Sequence, residues 1–164
     1  MIPAKKIKVR TRLSTLAFTG GGIMAKDALK RADTAIGHMR GPSLAAIDEA
    51  MAQMDARFGP AAAGREAEPI DDLYILASSI ISLSACVRDS GLDQGAKALC
   101  DLIDLSEQME IWDWEAVDVH LSTLRMLRTA GEAMTPHERG ALIDGLIKVT
   151  RKRIGDPKTL TRSA

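Results

Sequence analysis

Residues 70–108 read IDDLYILASSIISLSACVRDSGLDQGAKALCDLIDLSEQ. Leu73, Leu76, Ile80, Leu83 and Val87 recur at intervals of three and four, the spacing of one buried helix face. Asp89-Ser90-Gly91 then interrupts the pattern, and Gly91 can supply the left-handed conformation that closes a helix. The period resumes at Leu92, with Ala96, Leu99 and Ile103 on one face. The stretch is therefore a helical hairpin, Ile70–Arg88 followed by Leu92–Gln108. A short turn between two amphipathic helices makes them antiparallel neighbours.

Two more helices follow. Asp113 is a good N-cap, and beyond it Val117, Leu121 and Leu124 face inward until Gly131. Thr135-Pro136-His137-Glu138 is a capping box: Thr135 caps, Pro136 sits where its missing amide is harmless, and Glu138 answers Thr135. This last helix is expected to bury Leu142, Ile143, Leu146, Ile147, Val149 and Ile154. Arg151, Lys152 and Arg153 suit the negative end of its dipole. Residues 70–155 thus read as an up-down four-helix bundle. Trp112 and Trp114 flank the Asp113 cap, and one of them is expected to staple the bundle end.

Upstream, GPAAAGREAEP at 59–69 reads as a linker. Before it, Leu44, Ile47, Met51, Met54 and Phe58 form one stripe, and Ala25, Leu29, Ala32, Ile36 and Met39 form another. Pro42 lies between them, and its missing amide and ring predict a break or kink. Residues 23–58 are accordingly a kinked helix or helix pair appended to the bundle. Residues 1–22 read as a flexible basic arm, in which Lys6, Lys8, Arg10 and Arg12 alternate with Ile7, Val9, Thr11 and Leu13. Its charge is expected to speed partner association and make it salt-sensitive. Residues 156–164 form a tail.

Composition agrees with an all-α class. The chain has 164 residues, 46% hydrophobic and 27% charged, with only 3% aromatic. The net charge is zero, but it is unevenly spread. Residues 1–40 carry nine Lys/Arg against two Asp/Glu, 41–120 carry four against sixteen, and 121–164 carry nine against four. Such a layout arises either from helix faces that complement one another or from basic ends that dock an acidic partner. Cys86 and Cys100 lack metal-ligand spacing and suit a reducing compartment. No apolar run reaches the ~18 residues of a membrane span, and the N-terminus does not read as a secretory signal. The expectation is a cytoplasmic protein without membrane or nucleic-acid partners.

No residues form a catalytic or metal-binding pattern, so the reading is of a protein that is not an enzyme and needs no cofactor or metal. The first hairpin helix nevertheless carries Ser78, Ser82 and Ala85 within roughly 60° of arc, opposite the Leu73/Ile80/Val87 stripe. Tyr74, Ile75 and Ile81 flank them, and Arg88 ends the face. A solvated helix face is ordinarily charged. This small, apolar one points to something packed on it, either the N-terminal helices or an external partner.

The hairpin resembles histidine-containing phosphotransfer (HPt) domains, four-helix bundles with a phosphorylatable histidine on an exposed helix. Their motif is Ala-His-x-Leu-Lys-Gly, then Gly-Ala, then a Leu-Cys-like pair and an acidic residue. Without gaps, Val87 takes the motif Leu, Arg88 the Lys, Gly95-Ala96 the Gly-Ala, Leu99-Cys100 the Leu-Cys, and Asp104 the acid. The phosphoacceptor position holds Ala85, the residue before it is Ser84, and the motif Gly is Asp89. A second resemblance spans most of the chain. Asp27-Ala28-Leu29, Leu44, Ile47-Asp48, Leu73-Tyr74, Ala98-Leu99-Cys100-Asp101-Leu102, Ala116-Val117 and Val119-His120-Leu121 look like the CheE type of alphaproteobacterial chemotaxis proteins.

These resemblances imply an HPt-like antiparallel bundle with an N-terminal helical appendage, in a two-component or chemotaxis system. They imply docking of a response-regulator receiver domain, or another chemotaxis protein, without phosphoryl transfer. The docking residues would be Tyr74, Ser78, Ile81, Ser82, Ala85 and Arg88. Two alternatives stand beside this. One is an active phosphotransfer protein using His120, which the helical projection places at the border of core and solvent. The other is an assembly protein that homodimerises through residues 24–58.

Overall fold

A computed structural model describes residues 24–87 and 90–155. The basic arm at 1–22, the tail at 156–164, and Arg88 and Asp89 lie outside the described residues. Five α-helices make up the described chain, and no strand occurs among those residues. They are α1 (Ala25–Phe58), α2 (Ile70–Leu83), α3 (Leu92–Met109), α4 (Trp114–Ala130) and α5 (Pro136–Arg153), with 3-10 turns at Arg65–Ala67 and Ser84–Cys86. The all-α reading is met. α3 packs against α2, α4 and α5, and α4 also packs against α5.

The helix ends follow the capping chemistry. Asp113 accepts hydrogen bonds from the amides of Glu115 at 2.9 Å and Ala116 at 3.2 Å. At α5 both halves of the capping box form: the Glu138 amide donates to Thr135 Oγ1, and the Thr135 amide donates to the Glu138 carboxylate. These bonds hold the Glu138 carboxyl below its ordinary range. Gly91 precedes α3 with φ 73°, the conformation its place in the turn required. Replacing Asp113 by Ala removes an acceptor for two otherwise orphaned amides. We expect a loss of about 1 kcal/mol of stability, measured by urea unfolding, with no change in the fold.

The core runs through every helix, with Ile47, Met54 and Phe58 of α1 buried alongside Leu73, Ile80, Leu99, Ile103, Leu121, Leu124 and Leu146. At Gly95, α3 comes so close to α4 that an added Cβ would lie 2.8 Å from a Leu127 methyl. The glycine is what admits the Leu124 and Leu127 side chains there.

Four observations differ from the sequence expectations. First, α1 is continuous through Pro42, so of the kinked helix and the helix pair it is the pair that the structure discards. A proline removes only one bond of the ladder, and the flanking turns hold. Second, the division into compact units falls between Ile36 and Gly37, and residues 59–69 lie inside the larger unit. That segment is tied down by ion pairs from Arg57 to Glu68 and Asp72, and from Arg65 to Asp118. Third, α2 ends at Leu83 rather than Arg88. The buried Ser84 hydroxyl donates to Ile80 O at 2.6 Å, and the chain tightens into the 3-10 turn. Fourth, Ile147 of α5 is 40% exposed rather than buried.

The charge asymmetry has a structural counterpart in the larger unit. Arg40, Asp48, Asp55 and Arg65 pair with Glu132, Arg128, Arg125 and Asp118 respectively. Numbers rise on one side of this ladder and fall on the other, so the C-terminal part of α1 runs antiparallel to α4. Arg153 likewise meets Asp113 and Glu115. Exposed pairs of this kind contribute ~0–1 kcal/mol each. Their effect lies more in register than in stability. Acidic and basic segments complementing each other, one of the two readings of the charge layout, therefore accounts for these residues.

Candidate functional site

The candidate surface lies on α2. Residues 73–87 contain no charged side chain, yet Tyr74 is 37% and Ile75 62% exposed. Ser82 is also exposed, while Ser78 and Ile81 are half-buried. Ile81 packs partly on the core and so forms the floor of the face rather than its summit. The hydroxyls of Ser82 and Ser79 turn back to backbone oxygens of their own helix, Ser78 O at 3.3 Å and Leu76 O at 2.7 Å. This satisfies them locally and leaves a smooth surface.

Ala85 is exposed, but it lies in the 3-10 turn and not on the helix that carries Ser78 and Ser82. A 100° step per residue therefore does not apply between 82 and 85. Arg88 lies outside the described residues. The structure thus brings Tyr74, Ser78, Ile81 and Ser82 onto one helix and places Ala85 just past its end.

Beside this face runs the outer surface of α3. Asp104 is the main cause of a raised Tyr74 hydroxyl pKa, because a nearby negative charge opposes forming a phenolate. Lys97 bonds both Asp101 oxygens at 2.8 Å. Cys100, beneath them, is buried and its thiol is pushed up to about 11, chiefly by loss of solvation. A thiol so placed is a poor nucleophile. Cys86 is half-buried, and both cysteines are free.

His120 does not lie at the border of core and solvent: it is 0% exposed. The projection that put it at the edge ignored α5, whose Thr150 closes over it. His120 Nδ1 is 2.8 Å from Ala116 O. A carbonyl can only accept, so Nδ1 carries the proton and Nε2 is bare. Nε2 then accepts from the Thr150 hydroxyl at 3.4 Å. Burial lowers the His120 pKa below its ordinary 6.5 and keeps the ring neutral. With both nitrogens turned inward, the ring is poorly placed to receive a phosphoryl group.

On the far side of Thr150 is a groove of about 410 Å³ between α3 and α5. Ala98, Leu105 and Ile147 supply its apolar lining, Asp101 and Asp104 its acidic rim, and Arg151 the opposite rim. Sequence reading missed it. Asp101, Asp104 and Gln108 lie on one side of α3, but that spacing also describes any solvated helix face.

At the bundle end, Trp112 and Trp114 meet edge to face with centroids 5.3 Å apart. The Arg65 guanidinium stands 4.8 Å from the Trp114 ring centre. Both tryptophans pack against the core, the stapling arrangement expected of one of them. The Trp112 indole N–H is buried without a hydrogen-bond partner. Among the described residues, no group of three His, Cys, Asp or Glu is placed to hold a metal ion, and no helix is long and apolar enough to cross a membrane. No family model, no curated protein and no solved structure matches the chain.

Proposed function

We propose that this chain is a non-catalytic signalling protein of a two-component or chemotaxis system, working in the cytoplasm. In this reading α2–α5 form an HPt-like antiparallel bundle to which α1 is added. The bundle docks a response-regulator receiver domain through Tyr74, Ser78, Ile81, Ser82 and the neighbouring Ala85, without phosphoryl transfer. The supporting observation is the uncharged run at 73–87, which exposes Tyr74 and Ile75 to solvent on a helix otherwise packed into the core. Exposed apolar residues grouped on one face mark interaction surfaces. Ala85 stands where the resembled motif has its histidine, and alanine offers no nitrogen for a phosphoramidate. Docking can outlast that loss, because interface energy resides mainly in buried contacts around the centre.

The test is binding of a purified receiver domain to the full chain by calorimetry, with acid-labile phosphate transfer followed in parallel. Ser82→Arg should abolish binding by placing a long charged side chain in the centre of the contact. Its folding should be affected by no more than about 0.5 kcal/mol, since the site is exposed. Asp144→Ala, exposed on α5, should bind as the wild type does. Unchanged binding in Ser82→Arg, with helicity intact, removes the α2 face as the docking surface. A stable acid-labile label on the chain contradicts the non-catalytic reading and returns His120 to consideration.

A further inference from the structure

The first turns of α1 lie in the smaller compact unit, residues 1–36. They present an apolar face to solvent. Met24, at the helix start, is 72% exposed and Leu29 is 67% exposed. Ala25, Ala28 and Ala32 are exposed beside them, and Ile36 is half-buried. On the helix, Ala25, Ala28, Leu29, Ala32 and Ile36 fall within roughly 100° of arc. Arg31 flanks this face on one side and Lys26 on the other, with Asp33 beside Lys26. Charge divides along the same boundary. Residues 1–36 carry eight Lys/Arg against two Asp/Glu, whereas 37–164 carry fourteen against twenty. Residues 1–23 contribute five of those eight and no acid.

We infer that this face of α1 lies on an anionic lipid surface, held there jointly by its apolar residues and by the positive charge of residues 1–36. A helix in the headgroup region buries one apolar face and keeps its charged sides in water. Met24 and Leu29 enter the apolar layer, and the long side chains of Lys26 and Arg31 reach headgroup phosphates on either side. Two large apolar side chains bind only weakly alone, and stable attachment to a membrane takes a second signal. The acid-free, basic stretch at 1–23 supplies it, since each Lys or Arg near an anionic leaflet adds attraction. The net negative charge of 37–164 confines that attraction to the smaller unit. A bilayer suits the face better than a protein groove, which selects large anchors at helical spacing. Three of the five positions on this face are alanine. Nucleic acid would use the charge but not the apolar face. The sequence expectation of no membrane partner rested on the want of a spanning segment, and lying on a surface requires none. The inference is independent of the α2 face, which it leaves open for another partner.

Co-sedimentation of the full chain with sucrose-loaded vesicles tests it. One set of vesicles is phosphatidylcholine alone, the other an equimolar mixture with phosphatidylglycerol. The wild type should bind the mixed vesicles roughly tenfold or more tightly than the neutral ones, and salt should weaken that binding. Leu29→Asp, and Lys26→Glu with Arg31→Glu, should each weaken it roughly tenfold or more, with unchanged far-UV circular dichroism, since these sites are exposed. Ile147→Asp makes the same change of charge at an apolar residue of α5 that is 40% exposed. It should bind as the wild type does. A wild type that stays in the supernatant with mixed vesicles overturns the inference, as does equal binding to both vesicle types. Binding that survives Leu29→Asp, or that Ile147→Asp weakens equally, removes the α1 face as the contact. If the chain ignores vesicles but sediments alone as a dimer that Leu29→Asp dissociates, the occupant of the face is a second copy and the inference fails.

Discussion

Replacing Phe58 by Ala should cost about 3–5 kcal/mol of unfolding free energy. Phe58 ends α1 and is 0% exposed, with Ile47 and Met54 on the same helix also buried. The Arg57 guanidinium stands 5.1 Å from its ring centre. Truncation to alanine removes the ring's burial and leaves a cavity that the surrounding helices fill only in part. A domain of this size has ~5–15 kcal/mol to lose, so the variant should unfold at markedly lower urea. Met39→Ala, on the exposed part of the same helix, should change stability by no more than about 0.5 kcal/mol. The comparison measures whether α1 belongs to the core. A small cost for Phe58→Ala would mean that the bundle stands without the C-terminal part of α1. A large cost means that the folding unit begins before the glycine-rich segment at 59–69.

The second expected result concerns acid. His120 is buried and neutral, with its pKa held below the ordinary 6.5 by loss of solvation. The unfolded chain exposes the ring and binds a proton near that ordinary value, while the folded chain resists doing so. Below about pH 6.5 the unfolded state therefore holds more protons, and unfolding becomes easier. Stability associated with this residue is full above that pH and falls as the pH drops through it towards the folded-state value. His120→Leu has a similar volume and no titrating group. Its melting temperature should decline less than that of the wild type between pH 7.5 and 5. The two curves should converge in slope above neutrality. Parallel curves across the whole range would show that His120 already titrates as a free imidazole. Removing the ring also leaves the Thr150 hydroxyl without its partner, a cost of about 1–3 kcal/mol if no water replaces it. That cost shifts the whole curve without changing its slope.

Along α1 one sequence pattern has two structural outcomes. The stripe Leu44, Ile47, Met51, Met54 and Phe58 and the stripe Ala25, Leu29, Ala32, Ile36 and Met39 have the same period. In the structure the first is largely buried and the second largely exposed. Periodicity reports that a helix has an apolar face. It says nothing of what covers that face, because covering depends on residues far away in the chain. The same gap explains the 59–69 segment. Its composition marks a loop, but whether a loop separates two cores or joins parts of one depends on partners such as Asp118 for Arg65.

Local chemistry was legible in the sequence because its causes lie within a few residues. Asp113 and Thr135 satisfy amides two or three positions on, and Gly91 takes the left-handed backbone its turn demands. These short-range bonds, with the three-four spacing of apolar residues, determined the all-α class and the starts of α3, α4 and α5. Tertiary structure alone decided the rest. It closed Thr150 over His120, ended α2 at a buried Ser84 and set Ala85 beyond the helix. It also left Ile147 open beside an acidic rim. Each of these outcomes depends on which helix lies against which. That choice follows from packing summed over the whole core, where no single residue or spacing carries the decision.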